Sequence, residues 1–118
     1  MIRLTLLAIL LLAAPAALAQ EPTNCVPIKF PGGQSSASVT GSVGSDEPFP
    51  CYSLAVGRGQ TASLKFTKTN GNMTFTIYGV VDDRDSYSFK TDAKTYKFTV
   101  FQTLRAAPTA FALTVSVK

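Results

Sequence analysis

The sequence predicts an all-β protein, an antiparallel β-sandwich of seven to eight strands with one disulfide bond. Apolar and polar residues alternate along most of the chain, and turn-forming residues separate the alternating stretches. No apolar repeat of helical period is long enough to predict a helix. Because each predicted strand has one apolar face, two antiparallel sheets packed face to face are favoured.

The apolar positions of these stretches define the predicted strands in order. They are Val26, Ile28 and Phe30; Val39, Gly41 and Val43; Tyr52, Leu54 and Val56; Ala62, Leu64 and Phe66; Met73, Phe75 and Ile77; Tyr87 and Phe89; Tyr96, Phe98 and Val100; and Phe111, Leu113, Val115 and Val117. Threonines at several alternate positions fit a pleated, half-buried surface.

Glycine, proline and asparagine mark the turns between these strands. Asn70-Gly71-Asn72 is a strong hairpin signal, and further turns are expected at 31–33, 44–50, 57–59 and 105–108. The acidic stretch 81–86 is expected to form a loop.

The first 19 residues have the features of a secretory signal peptide. Arg3 supplies the positive start, residues 4–12 are mostly apolar, and Ala17-Leu18-Ala19 predicts cleavage before Gln20. A membrane anchor is disfavoured because the unbroken apolar run is shorter than the ~20 residues that a spanning helix needs. We therefore expect residues 20–118 to form a single domain, periplasmic or secreted, with no membrane attachment after cleavage.

Two cysteines, Cys25 and Cys51, are present in the chain. An even number in an exported protein predicts a structural disulfide. A redox-active pair is disfavoured because the C-x-x-C spacing is absent. A His/Cys zinc site is excluded because the chain has no histidine and no third cysteine.

Charge and composition argue against several functions. The net charge is +4, but the basic residues are spread along the chain, so no nucleic-acid partner is expected. A nucleophilic triad normally needs histidine as its base, and the chain has none. We therefore predict no catalytic residues, no metal site and no cofactor.

The acidic residues offer two alternatives to a purely structural role. Glycoside hydrolysis needs two carboxyl groups flanking a cleft, yet nearly all carboxylates here fall in predicted turns. The cluster Asp82-Asp83-Arg84-Asp85 lacks the spacing of a calcium loop and contains an arginine, so a solvated loop tip is favoured over a metal site. Such a loop could also contact a protein partner.

Most aromatic residues fall on the predicted core face. Phe49 and Tyr78 are the exceptions, because core packing explains their positions less well. Exposed aromatic rings can form a platform on which sugars stack, although the chain has no tryptophan. A carbohydrate- or cell-wall-binding module that stands alone is therefore an alternative reading of the whole chain.

The segment from Ile28 to Val117 resembles a bacterial family. The resemblance is carried by Tyr52-Ser53-Leu54-Ala55-Val56 followed by Gly59-Gln60, and by Gly33, Leu64 and the stretches 28–30, 35–43, 72–78 and 111–117. These residues are similar to the β-sandwich domain of the pre-peptidase C-terminal (PPC) type and to small exported proteins of that fold. The periplasmic inhibitors of g-type lysozyme are among them.

The resemblance to the inhibitors implies a stoichiometric protein partner, a lysozyme, whose cleft would be plugged by a surface loop. Polar side chains of that loop would pair with the catalytic carboxylates. Arg84 and Arg105 are the binding residues that we expect in this role, because guanidinium groups pair well with carboxylates.

Overall fold

The computed structural model describes residues 21–118, so the predicted signal peptide and its cleavage site lie outside the described residues. The described chain is all-β and contains no helix. Among residues 21–118, therefore, no helix has the length and apolarity needed to cross a membrane. The strands are β1 (Val26–Pro27), β2 (Ser36–Val43), β3 (Cys51–Val56), β4 (Thr61–Lys68), β5 (Met73–Ile77), β6 (Val81–Arg84), β7 (Ser86–Lys90), β8 (Lys94–Gln102) and β9 (Thr109–Val117).

Two sheets form a sandwich, as the alternating pattern predicts. The five-stranded sheet has the order β1-β3-β8-β5-β6, and the four-stranded sheet has the order β2-β9-β4-β7. Every pair of neighbouring strands is antiparallel except β1 and β3, which pair in parallel through Val26 opposite Tyr52 and Pro27 opposite Ser53.

The core lies between the sheets and consists of the alternating positions of the long strands. Leu54, Phe75, Phe98, Phe111 and Leu113 are each at most 1 % exposed. The rings of Phe66 on β4 and Phe75 on β5 lie 5.8 Å apart and join the two layers. Burial of these large side chains is the main favourable contribution to the stability of such a domain.

The structure differs from the sequence prediction at two places. Residues 81–84, expected in a loop, form the short edge strand β6, which pairs only with β5 and leaves its three charged residues exposed. The first predicted strand, from Val26 to Phe30, shortens to the two residues of β1, and Ile28 and Phe30 pack against the core from outside a strand.

The disulfide between Cys25 and Cys51 is present, as predicted. It links the chain just before β1 to the first residue of β3, and the Ile28 N–H donates to the Ser53 carbonyl oxygen at 2.9 Å beyond it. The covalent bond and this hydrogen bond together hold the start of the domain against the five-stranded sheet.

Candidate functional site

One end of the sandwich carries the loop between β8 and β9, which exposes two large side chains. This tip loop, residues 103–108, has Leu104 and Arg105 at its apex. Leu104 is 72 % exposed. The Arg105 side chain is 81 % exposed. The loop thus presents one apolar and one cationic side chain side by side.

Asn72, in the β4–β5 turn, holds the tip loop from one side. The Leu104 N–H donates to Asn72 Oδ1 at 2.8 Å, and Asn72 Nδ2 donates to the Leu104 carbonyl oxygen at 2.8 Å. The Thr103 N–H also donates to the Asn72 carbonyl oxygen at 2.9 Å. Both the N–H and the carbonyl oxygen of Leu104 are therefore held by hydrogen bonds.

Ser45, just beyond β2, holds the loop from the other side. Its hydroxyl donates to the Ala106 carbonyl oxygen and accepts from the Ala106 N–H, both at 2.7 Å. Gln102 lies beneath the loop and donates through Nε2 to the carbonyl oxygens of Val43 at 3.0 Å and Ala107 at 3.1 Å. Two segments distant in sequence, around Ser45 and Asn72, and the adjacent Gln102 thus hold the loop in place.

Arg105 has a single, exposed ion pair within the described residues. Its Nη2 lies 3.2 Å from Asp46 Oδ1, and the Asp46 side chain is 83 % exposed. Solvent-exposed pairs of this kind contribute about 0–1 kcal/mol. Arg105 can consequently exchange Asp46 for a carboxylate of a partner at little cost. A surface depression of about 540 Å³ adjoins the pair and is lined by Ser45 and Pro108 among others.

Arg84, the other predicted binding residue, lies at the end of the edge strand β6. Its guanidinium carbon is 5.8 Å from the centre of the Tyr87 ring, a cation–π contact. Within residues 21–118 Arg84 has no salt bridge, whereas Arg105 pairs with Asp46. The structure therefore places the two arginines in different environments, and only Arg105 belongs to the tip loop.

A second feature is a groove of about 790 Å³ at the outer face of the five-stranded sheet. Phe49, Tyr78 and Phe101 line it, and the rings of Phe49 and Phe101 lie 6.3 Å apart. The Tyr78 hydroxyl accepts a hydrogen bond from Thr99 Oγ1 at 3.2 Å. The two aromatic residues that the sequence left outside the core, Phe49 and Tyr78, are thus brought together here.

The charged side chains that line this groove are all acidic. They are Glu21, Glu47 and Asp82. Lys97 lies beside the groove, with its Nζ 3.9 Å from Glu21 Oε2. In the described part of the chain, no three histidine, cysteine, aspartate or glutamate side chains are grouped so that they could hold a metal ion.

Comparison with known proteins finds solved structures of similar fold. No protein-family model matches the sequence, and no curated protein sequence matches it significantly. The structures of the PliG proteins, periplasmic inhibitors of g-type lysozyme, do match. That of Aeromonas hydrophila has a TM-score of 0.61 and 22 % identity, and covers 80 % of this chain and 96 % of its own.

Two further PliG structures have a similar fold. A mutant of the Escherichia coli protein has a TM-score of 0.61 and 20 % identity over 79 % of this chain and 96 % of its own. The Salmonella Typhimurium protein has a TM-score of 0.62 and 19 % identity over 82 % of this chain and 100 % of its own. This chain has the fold of these inhibitors.

Proposed function

We propose that this chain is an exported, non-catalytic protein inhibitor of a g-type lysozyme, and that its tip loop enters the substrate cleft of the enzyme. The fold shared with three inhibitors of g-type lysozyme supports the proposal, as does the predicted signal peptide at residues 1–19. The shared fold and the predicted signal peptide also support a periplasmic location. The relationship to PPC-type domains stays a prediction from the sequence.

The observation that carries the proposal is that a loop held by hydrogen bonds on both sides exposes Leu104 and Arg105. Glycoside hydrolases use carboxylates in their clefts, and an arginine can pair with such groups through two parallel hydrogen bonds. The neighbouring leucine would bury its exposed side chain against the wall of the cleft. Because Asn72, Ser45 and Gln102 already fix the loop, binding would cost little conformational entropy.

The proposal is tested by mixing the exported protein with a g-type lysozyme and following lysis of a cell-wall suspension. We expect lysis to stop near a one-to-one molar ratio. A c-type lysozyme serves as the control enzyme for nonspecific effects on the substrate. Undiminished lysis by the g-type enzyme at a large molar excess of the protein would contradict the proposal.

The outer-face groove favours a second candidate function, binding of a cell-wall polysaccharide. Sugars stack on aromatic rings and donate hydroxyl hydrogen bonds to carboxylates, and this groove offers Phe49, Tyr78 and Phe101 together with Glu47 and Asp82. The groove is distinct in residues from the tip loop, so the two functions can be separated by substitution.

Retention on insoluble peptidoglycan tests this second function. We expect the Phe49→Ala/Tyr78→Ala double variant to lose any retention, whereas Arg105→Ala retains it. Equal retention of both variants would show that the groove does not bind the polymer.

A further inference from the structure

The sandwich has four edge strands, and three of them are protected against pairing with another strand. β1 has two residues, one of which is Pro27. β6 has four residues, three of them charged, and Asp83 has a positive φ of 52°. β7 has five residues, ends at Lys90 and directly follows Asp85. Short length, charge, proline and local distortion are the features that prevent edge-to-edge association of sheets.

The fourth edge strand, β2, has none of these features. It is eight residues long and contains no charged residue and no proline. Its register with β9 is continuous from Ser36 opposite Ser116 to Val43 opposite Thr109, without a bulge. An unprotected edge of this length is a template for another strand.

The hydrogen bonds to β9 identify which backbone groups of β2 face outward. The Val117 N–H donates to the Ser35 carbonyl oxygen, so Ser35 points toward β9. In an antiparallel pair the direction alternates from residue to residue. The N–H and C=O groups of alternate residues from Ser36 to Ser42 therefore point away from the sheet, and within residues 21–118 they have no backbone partner. These residues are Ser36, Ser38, Thr40 and Ser42.

We propose that two copies of this protein associate through β2, antiparallel, about a two-fold axis at Val39. With the axis there, Ser36 lies opposite Ser42 of the second copy, and Ser38 lies opposite Thr40 of the second copy. Each of these pairs exchanges two N–H···O bonds. All outward-facing groups from Ser36 to Ser42 are then satisfied, and the two four-stranded sheets become one continuous sheet.

The chemistry of β2 favours a second copy over another partner. A two-fold axis brings residues of one strand against the same strand, so any charge near its centre would meet a like charge, and β2 carries none. Its outer face presents serine and threonine side chains only. The same sheet already uses such a pair, because Ser63 Oγ and Ser88 Oγ lie 2.6 Å apart across β4 and β7.

This association does not depend on the proposed lysozyme inhibition. The end of β2 leads to Ser45, which holds the tip loop, and an antiparallel arrangement places the two ends of the strands far apart. The two tip loops would therefore lie at opposite ends of the pair and remain free.

Sedimentation equilibrium of the exported protein tests the proposal. Because an interface of one strand pair is small, we expect a reversible monomer–dimer equilibrium with a dissociation constant of about 10–500 µM. Ser38→Pro removes an outward-facing N–H without removing a bond to β9, and should weaken association at least about tenfold. Ser86→Pro, on the protected edge β7, is the matched control and should not. A monomer at all concentrations up to about 1 mM would overturn the proposal.

Cysteine cross-linking tests the register and does not depend on whether the proline variant folds. Val39 faces its own copy across the axis, at a spacing of about 4.5 Å between Cα atoms that a disulfide can bridge. The Val39→Cys variant should therefore form a disulfide-linked dimer on oxidation. Ala37→Cys, two residues away on the same face of β2, should not. Equal cross-linking of the two variants, or of neither, would contradict the proposed pairing.

Discussion

Asn72 and Leu104 are joined by two reciprocal hydrogen bonds of 2.8 Å between the amide side chain of Asn72 and the backbone of Leu104. The Asn72 side chain thus satisfies both backbone polar groups of Leu104, the most exposed large hydrophobic residue among residues 21–118. Together with the bond from the Thr103 N–H to the Asn72 carbonyl oxygen, they continue the contact between the two segments beyond Gln102, where β8 ends. These bonds hold Leu104 in the conformation that exposes its side chain.

Asn72→Ala should release the tip loop. Removing these bonds should lower the free energy of unfolding by about 1–2 kcal/mol, because each intramolecular hydrogen bond contributes about 0.5–1.5 kcal/mol. Hydrogen exchange of the Leu104 amide should accelerate strongly while amides in β8 stay protected. Asn72→Asp keeps the acceptor for the Leu104 N–H and should have a smaller effect on that amide. Unchanged exchange in the alanine variant would contradict this account of the loop.

Gly41→Ala should destabilise the sandwich although alanine is the better strand residue. A Cβ at this position would lie 3.0 Å from the Phe111 ring and 3.1 Å from the Tyr52 hydroxyl oxygen. Both rings are packed between the sheets, so the added methyl group should cost about 1–3 kcal/mol in urea denaturation. The control is Gly44→Ala, where the nearest atom, Pro108 Cγ, is at 3.4 Å. Equal stability of the two variants would show that the contact at Gly41 is relieved without strain.

Loss of the Cys25–Cys51 disulfide should lower the melting midpoint without unfolding the domain at room temperature. The two cysteines are 26 residues apart, and a loop of that size corresponds to about 3–4 kcal/mol on the chain-entropy model. For a domain of this size the midpoint should fall by more than about 10 °C. The Cys25→Ala/Cys51→Ala variant should show the same fall and no further response to a reductant. A reductant effect that persists in this variant would mean that the disulfide is not its cause.

Tyr52 should make the protein less stable at alkaline pH. Burial raises the pKa of the Tyr52 phenol above its ordinary value of 10.0. The unfolded chain therefore ionises first, so this contribution to stability is complete below about pH 10 and is lost as the pH rises through the higher pKa of the folded state.

Tyr52→Phe tests this linkage. Between about pH 9 and pH 11 the urea midpoint should fall less in the variant than in the parent protein. The difference in urea midpoint between the two proteins at pH 7 measures any effect of the substitution on packing and serves as the reference. A parallel fall of both proteins would exclude Tyr52 as a source of the pH dependence.

The alternating pattern was sufficient to predict the sandwich because one face of each long strand is buried. Tyr96, Phe98 and Val100, predicted to point inward together, are at most 5 % exposed. The pattern could not reveal β6, because an edge strand with one neighbour and an exposed face tolerates the acidic composition that usually marks a loop. It could not reveal the parallel pairing of β1 either, because a strand of two residues is too short to show an alternation of apolar and polar side chains.

The candidate site was only partly predictable. Arg105 was selected for its charge, and the structure adds that it lies on a loop whose shape is fixed from outside. Ser45 bonds Ala106 across 61 positions of sequence, and Asn72 bonds Leu104 across 32. Such contacts depend on how the sheets assemble, and no local motif records them. The exposure of Leu104 likewise depends on where the folded sheets place the loop, which the residues next to Leu104 in sequence do not indicate.

We propose that Arg105 in the tip loop blocks a g-type lysozyme. The most direct test of this proposal is a titration of the lytic activity with the parent protein and with Arg105→Ala, using Arg84→Ala as the matched control on the edge strand. Loss of a charge-assisted hydrogen-bond pair should raise the inhibition constant about 10- to 100-fold for Arg105→Ala, and leave it unchanged for Arg84→Ala. Equal inhibition by all three proteins, or none by the parent protein, would contradict the account.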